Sequence, residues 1–99
     1  MNERRSASRI SSGVHIRYAS YKGVRPPDES FESGITRNLS TGGVSFFCKQ
    51  ALELDSKVIL LLGSELSPIA VLADVVHCQA DHLADTTDFF VGCEFLARL

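Results

Sequence analysis

An all-β fold, a small six-stranded antiparallel β-barrel, is predicted from three features of the sequence. Apolar and polar residues alternate with a period of two in several runs, the period of a strand with one face buried. The runs are short and rich in β-branched and aromatic residues. Clusters of Gly, Pro, Asp and Ser separate them, as in small barrels and sandwiches. A barrel also removes the open edges that six strands would otherwise expose.

In chain order, "VHIRYASY" sets Val14, Ile16 and Tyr18 against His15, Arg17 and Ala19, so His15 is expected to point outward. "KGVRPPDESFES" is a polar loop, which Pro26-Pro27 biases toward an extended shape. "GITRN" and "VSFFC" are two strands flanking a loop of small and polar residues. "QALELDS" has room for one helical turn. "KVILLL" and "PIAVLADVVHC" are two further strands, joined through the turn-like "GSELSP". In "DFFVGCEFL", Phe89, Val91, Cys93 and Phe95 share one face, with Phe90, Gly92, Glu94 and Leu96 on the other. Gly92 within a strand predicts a bend or a close backbone approach. "EFLARL" is read as the possible start of a helix, so the fold carries at most a short C-terminal helix.

Composition narrows the function. A chain of 99 residues with 44% hydrophobic and 22% charged residues reads as one globular domain. Its longest apolar run, Val58 to Leu62, falls far short of the roughly 18 residues that span a bilayer. The charged start "MNERRSASR" does not resemble a secretory signal, so a cytoplasmic location is expected. Cys48, Cys78 and Cys93 are an odd number in strand-like runs and read as reduced core thiols. His77, Cys78 and His82 lack the converging fourth ligand of a structural zinc site, so no metal is expected. No nucleophile elbow, phosphate-binding Gly-rich loop or dinucleotide fingerprint is present, and no enzymatic activity is expected.

Charge is unevenly distributed. Residues 1–27 carry Arg4, Arg5, Arg9, Arg17, Lys22 and Arg25 against Glu3 alone, a net +5, while residues 28–99 carry −7. The positive end points toward an anion. Within it, "RRSASR" places Arg5 and Arg9 four apart, with Arg4 beside them. Arginine forks bind phosphate oxygens or the O6/N7 edge of guanine and stack on purines. Between the second and third strands lies Asn38-x-Ser40-x-x-Gly43. Asn offers a donor and an acceptor for a base edge, and Ser40 adds a rotatable hydroxyl. Gly42 and Gly43 permit left-handed backbone or close approach to a ligand. The same residue types also make ordinary turns, so the loop on its own allows either reading.

Taken together, Arg5-x3-Arg9, "RNLSTGGVSF" and the terminal "VGCEFL" resemble a PilZ domain. The likeness runs from Arg4 to about Leu96 and includes both halves of that family's signature, Arg-x3-Arg and Asp/Asn-x-Ser-x-x-Gly. It implies a six-stranded barrel, residues 13–99, preceded by a flexible ligand-clasping segment, residues 1–12. It also implies a non-catalytic receptor for cyclic di-GMP. Arg5 and Arg9 would hold guanine edges and phosphates, Asn38 and Ser40 would contact a guanine, and Gly42 and Gly43 would shape the loop. Arg4 would favour an intercalated dimer of the ligand, two molecules per chain. Binding would move the N-terminal segment, and a protein partner, not identifiable from the sequence, would read the change. Many relatives continue into a C-terminal helix. Its absence here would leave an apolar patch around Phe89 to Leu96 for a partner or a second copy, making a homodimer conceivable. Two other readings compete: a nucleotide-independent adaptor of the same fold, and a barrel binding RNA or DNA through its basic tail. The intact arginine motif disfavours the first, and the acidic body the second.

Overall fold

The computed structural model describes residues 10–11, 15–64, 66–83 and 86–99. They form seven strands: β1 (Ile10–Ser11), β2 (His15–Ser20), β3 (Glu32–Leu39), β4 (Gly43–Cys48), β5 (Lys57–Leu62), β6 (Ile69–Leu83) and β7 (Thr86–Arg98). All pairings are antiparallel. The order β3-β2-β5-β6-β7-β4 returns to β3 through β3–β4 pairing, which closes a six-stranded barrel. The short β1 lies along the same side of β3 as β2, pairing Ile10 with Leu39 and Ser11 with Asn38.

Alternation decides what is inside. Ile16 and Tyr18 of β2, Val44, Phe46 and Cys48 of β4, and Val91 and Cys93 of β7 form the core with Val58, Leu60, Ala73 and Val75. His15 is exposed, as its position in the pattern predicts. The unbroken run Val58–Leu61 is buried on both faces of β5. Cys48, Cys78 and Cys93 are free, with Cys48 and Cys93 buried.

Two suggestions of helix are not realised. Residues 94–99 do not begin a helix, because β7 runs to Arg98, with Ala97 opposite Leu72 and Arg98 opposite Val71. The ladder satisfies backbone groups that a single unfinished helical turn would leave open. Leu96 is the extra residue of a bulge there. "QALELDS" is a turn: Ser56 donates from both N–H (3.2 Å) and Oγ (2.6 Å) to the Glu53 carbonyl. Asp55 takes a left-handed φ of 68° at its apex, a conformation Asp tolerates. A 3-10 turn, Asp28–Ser30, occurs instead in the polar loop, after extended Pro27. The β6–β7 hairpin also reaches beyond the apolar runs, to Leu83 and Thr86. Among the described residues, no helix is long and apolar enough to cross a membrane.

Candidate functional site

The segment from Asn38 to Gly43 is a tight β3–β4 hairpin turn that is also docked on a third strand. Leu39 pairs with Val44, and the Ser40 N–H donates to the Gly43 carbonyl at 2.9 Å. From the side, the Phe95 N–H of β7 donates to the Gly42 carbonyl at 3.0 Å. The turn is thereby fixed to the barrel rim, which suits a wall of a binding site.

The two glycines differ. Neither has a positive φ, so left-handed backbone is not their reason. A Cβ on Gly43 would collide with the Cys93 carbonyl oxygen, because β4 and β7 approach closely there. A Cβ on Gly42 would meet nothing within 4 Å. Gly43 therefore serves close packing, while Gly42 leaves open space on the loop surface.

Asn38 and Ser40 are both half-buried. Asn38 lies between Ser11 of β1 and Ser45 of β4. The Ser40 hydroxyl donates to the Gly43 carbonyl and accepts from the Gly42 N–H, both at 3.4 Å. Those contacts are long enough to leave the hydroxyl only weakly committed. Arg4, Arg5 and Arg9 lie outside the described residues. The chain directly after Arg9 is described: Ile10 pairs with Leu39, the residue between Asn38 and Ser40.

Some neighbours of the loop escaped the sequence reading. A register shift between Thr36 and Asn38 makes Arg37 a bulge residue, exposed beside Asn38. Ser45 and Gly92 continue the row from Asn38 across β4 and β7, ending at His77 of β6. This is a low stretch of the outer surface with no bulky side chain between Asn38 and His77. Gly92 also meets the expectation of a close approach, since its Cβ would come within 3.3 Å of the His77 Cβ, beside the bulge at Val76. Next to this row, Phe47 and Phe90 pack on the outer face with ring centroids 5.2 Å apart and planes tilted by 50°. Arg37, Phe47, Gln79 and Phe90 help line a concavity of about 290 Å³ there. Alternation with Val44 and Phe46 was the available signal for Ser45, but the strand register that joins it to Asn38 is a tertiary fact.

A larger concavity, about 620 Å³, is lined in part by Tyr18, Lys22, Glu32, Gln50 and Lys57, and contains none of the loop residues. The Tyr18 hydroxyl there donates to Gln50 Oε1 at 3.1 Å, and the Cys48 thiol donates to the Gln50 carbonyl at 3.1 Å. Burial raises the Tyr18 phenol and the Cys48 thiol above their ordinary pKa values, so both stay protonated. Among the described residues, no group of three or more His, Cys, Asp or Glu side chains converges as a metal site.

The family model of the PilZ domain matches residues 3–98. Among solved structures, the MrkH–c-di-GMP complex of K. pneumonia is similar with a TM-score of 0.65 and 17% identity, covering 92% of this chain and 43% of that one. The PilZ domain of CeSA from a cellulose-synthesizing bacterium has a TM-score of 0.52 and 16% identity, covering 85% and 78%. The Bacillus subtilis inhibitor of motility, MotI/DgrA, has a TM-score of 0.55 and 16% identity, covering 93% and 42%. The chain thus spans about two fifths of the length of the MrkH chains it matches. No curated protein matches the sequence.

Proposed function

Since the chain belongs to the PilZ domain family, we propose that it is a non-catalytic cytoplasmic receptor that binds cyclic di-GMP between its N-terminal arginines and the Asn38–Gly43 turn. One observation carries the reading: the strand beginning at Ile10, next to Arg9, pairs with Leu39 in the middle of the Asn-x-Ser motif. The described chain that directly follows the arginine half of the signature thus runs beside the Asn-x-Ser half. The similarity to a protein solved as its c-di-GMP complex is consistent with this.

Cyclic di-GMP carries two phosphates and two guanines, so cationic forks and base-edge partners are needed together. Arg5 and Arg9 supply the forks, Asn38 and Ser40 the base-edge partners, and Gly43 the close β4–β7 packing on which the turn is seated. A bidentate arginine–guanine contact contributes roughly 1–3 kcal/mol, and ordering the N-terminal segment opposes it at about 1 kcal/mol or more per residue. The conformational change of that segment is the signal a protein partner reads. Arg4 adds a third fork, suited to the extra phosphates of an intercalated ligand dimer.

Isothermal titration of the chain with cyclic di-GMP, using GTP and cyclic GMP as controls, tests the reading. Selective binding at micromolar or better is expected, at two ligands per chain. Arg5→Ala and Arg9→Ala each abolish it without lowering the Tm of the empty protein. Unchanged isotherms in both variants would sink the assignment, and a stoichiometry of one would remove the role given to Arg4. Absence of binding by folded wild-type chain would move the function to protein–protein adaptation.

A further inference from the structure

From Val76 to Leu83, β6 has a neighbour on one side only. Its pairing with β5 ends at Asp74, opposite Lys57. One residue on, Val75 is still held, its N–H donating to the Ser56 carbonyl (2.9 Å) and its carbonyl accepting from the Asp55 N–H (2.8 Å). Beyond that point β6 continues against β7 as far as Leu83 opposite Thr86. Among the described residues no strand pairs with its other edge there. Alternate residues of an antiparallel strand direct N–H and C=O to opposite sides, so this stretch presents unpaired backbone groups.

Natural edges are usually blunted by lysine, proline, bulges or a covering segment. The shorter free stretch of β7 ends at Asp88, whose carboxylate holds Lys49 Nζ at 2.6 Å. The β6 stretch, "VHCQADHL", opens with the bulge at Val76, and from His77 onward it contains no lysine, arginine, proline, glycine or further register shift. His77, Gln79, Ala80 and His82 are exposed. Its charges are also arranged symmetrically. His77, Gln79 and Asp81 share the outer face, opposite Gly92, Phe90 and Asp88. Asp81 therefore faces a like charge across the strands, a destabilising arrangement. Lys49 compensates Asp88, but among the described residues the ion pairs are Lys49–Asp88 and Lys57–Asp74, and neither includes Asp81.

We propose that this edge of β6 pairs with the same edge of a second copy, antiparallel and centred on Gln79, forming a two-fold dimer. In that register Gln79 meets its own counterpart, and His77 meets Asp81 of the second copy twice by symmetry. An imidazole N–H donates to a carboxylate whether the ring is neutral or charged. The His77 ring is set edge-on to Phe90 at 5.8 Å, which fixes it on the face where the pairing occurs. On the other face Cys78 meets Ala80, both small enough to let the strands reach ladder distance. Other antiparallel registers do not bring His77 opposite Asp81. The dimer joins the two β6–β7 hairpins into one sheet continuous with both barrels and leaves the Asn38–Gly43 turns outside the interface.

Sedimentation velocity of the full chain over a concentration series tests this. Wild type is expected to dimerise with concentration. His77→Glu, which sets a like charge against Asp81 twice, and Asp81→Lys, which removes both carboxylate acceptors of His77, each weaken self-association by about tenfold or more. Mixing the two variants restores dimerisation as a heterodimer, because each then supplies the charge the other lacks. Circular dichroism melts check that both variants fold. Independently, Gln79→Cys cross-links to its counterpart on oxidation, with the bridge mapped by mass spectrometry. A wild type that stays monomeric, a mixture that fails to associate, or a bridge mapped to another cysteine pair would each overturn the proposal.

Discussion

Gly42 and Gly43 show how little adjacency in sequence says about role. Gly43 is pressed against the Cys93 carbonyl, whereas Gly42 faces open space. Gly43→Ala is therefore expected to cost about 1–3 kcal/mol through overpacking between β4 and β7. For a domain of this size that lowers the Tm by roughly 4–24 °C. Gly42→Ala should leave the Tm within a few degrees. Thermal melts of the two variants side by side check the contrast, and equal losses would place the constraint in the turn rather than in strand packing. Arg37 makes the complementary point. It became a surface neighbour of Asn38 because a bulge inserts it between Thr36 and Asn38, something a strict period of two does not reveal.

At the scale of elements, the strands differ in what holds them. β5 is paired on both sides and carries four successive buried residues, Val58 to Leu61. In the outer part of the β6–β7 hairpin, Gln79–Leu83 pair among the described residues with β7 alone. Local opening should then be far easier in the hairpin than in β5. In hydrogen exchange at low protein concentration, amides of Val58–Leu61 are expected to be protected on the order of a hundredfold more than those of Gln79–His82. Uniform protection would mean that the barrel and its hairpin open as one unit. The polar residues of the hairpin, including Asp81, His82 and Thr87, disguised it in the sequence. Ladder hydrogen bonds do not require apolar side chains, so strand continues where the apolar run stops.

For the whole molecule, the closed barrel is a low-dielectric interior holding groups that ionise at high pH. Burial pushes the Cys93 thiol from its ordinary value near 9 up to about 12 and raises the Tyr18 phenol as well. A raised pKa in the folded state means that folding favours the protonated form. That contribution is complete below the unfolded-state values and is lost as pH rises toward the folded ones. The Tm should be nearly flat from pH 7 to 8 and fall progressively above about pH 9. Melts across pH 7 to 11 check this. In the same range Cys93 should react with a thiol reagent only as the protein unfolds, since the thiolate is the nucleophile. A Tm independent of pH would argue that neither group is as enclosed as the packing indicates.

Much of the barrel is determined by local sequence. Alternation in "VHIRYASY", "VSFFC" and "DFFVGCEFL" marks inner and outer faces, and the described residues keep them, except that Ala19, expected on the outer face, is buried; a one-residue slip would expose every core side chain at once. The residues of the Asn38–Gly43 turn, and the arginines that precede the barrel, are likewise visible as motifs. Tertiary structure alone decides which strands meet. The pairing of Ile10 with Leu39, the docking of Gly42 on Phe95, the row from Asn38 through Ser45 and Gly92 to His77, and the open edge of β6 all join residues distant along the chain. The physical reason is that periodicity encodes the direction a side chain faces, whereas register and partner choice follow from closing the ring. Closure pairs the six strands into a ring, and among the described residues the β6–β7 hairpin, which extends past that ring, keeps an open edge.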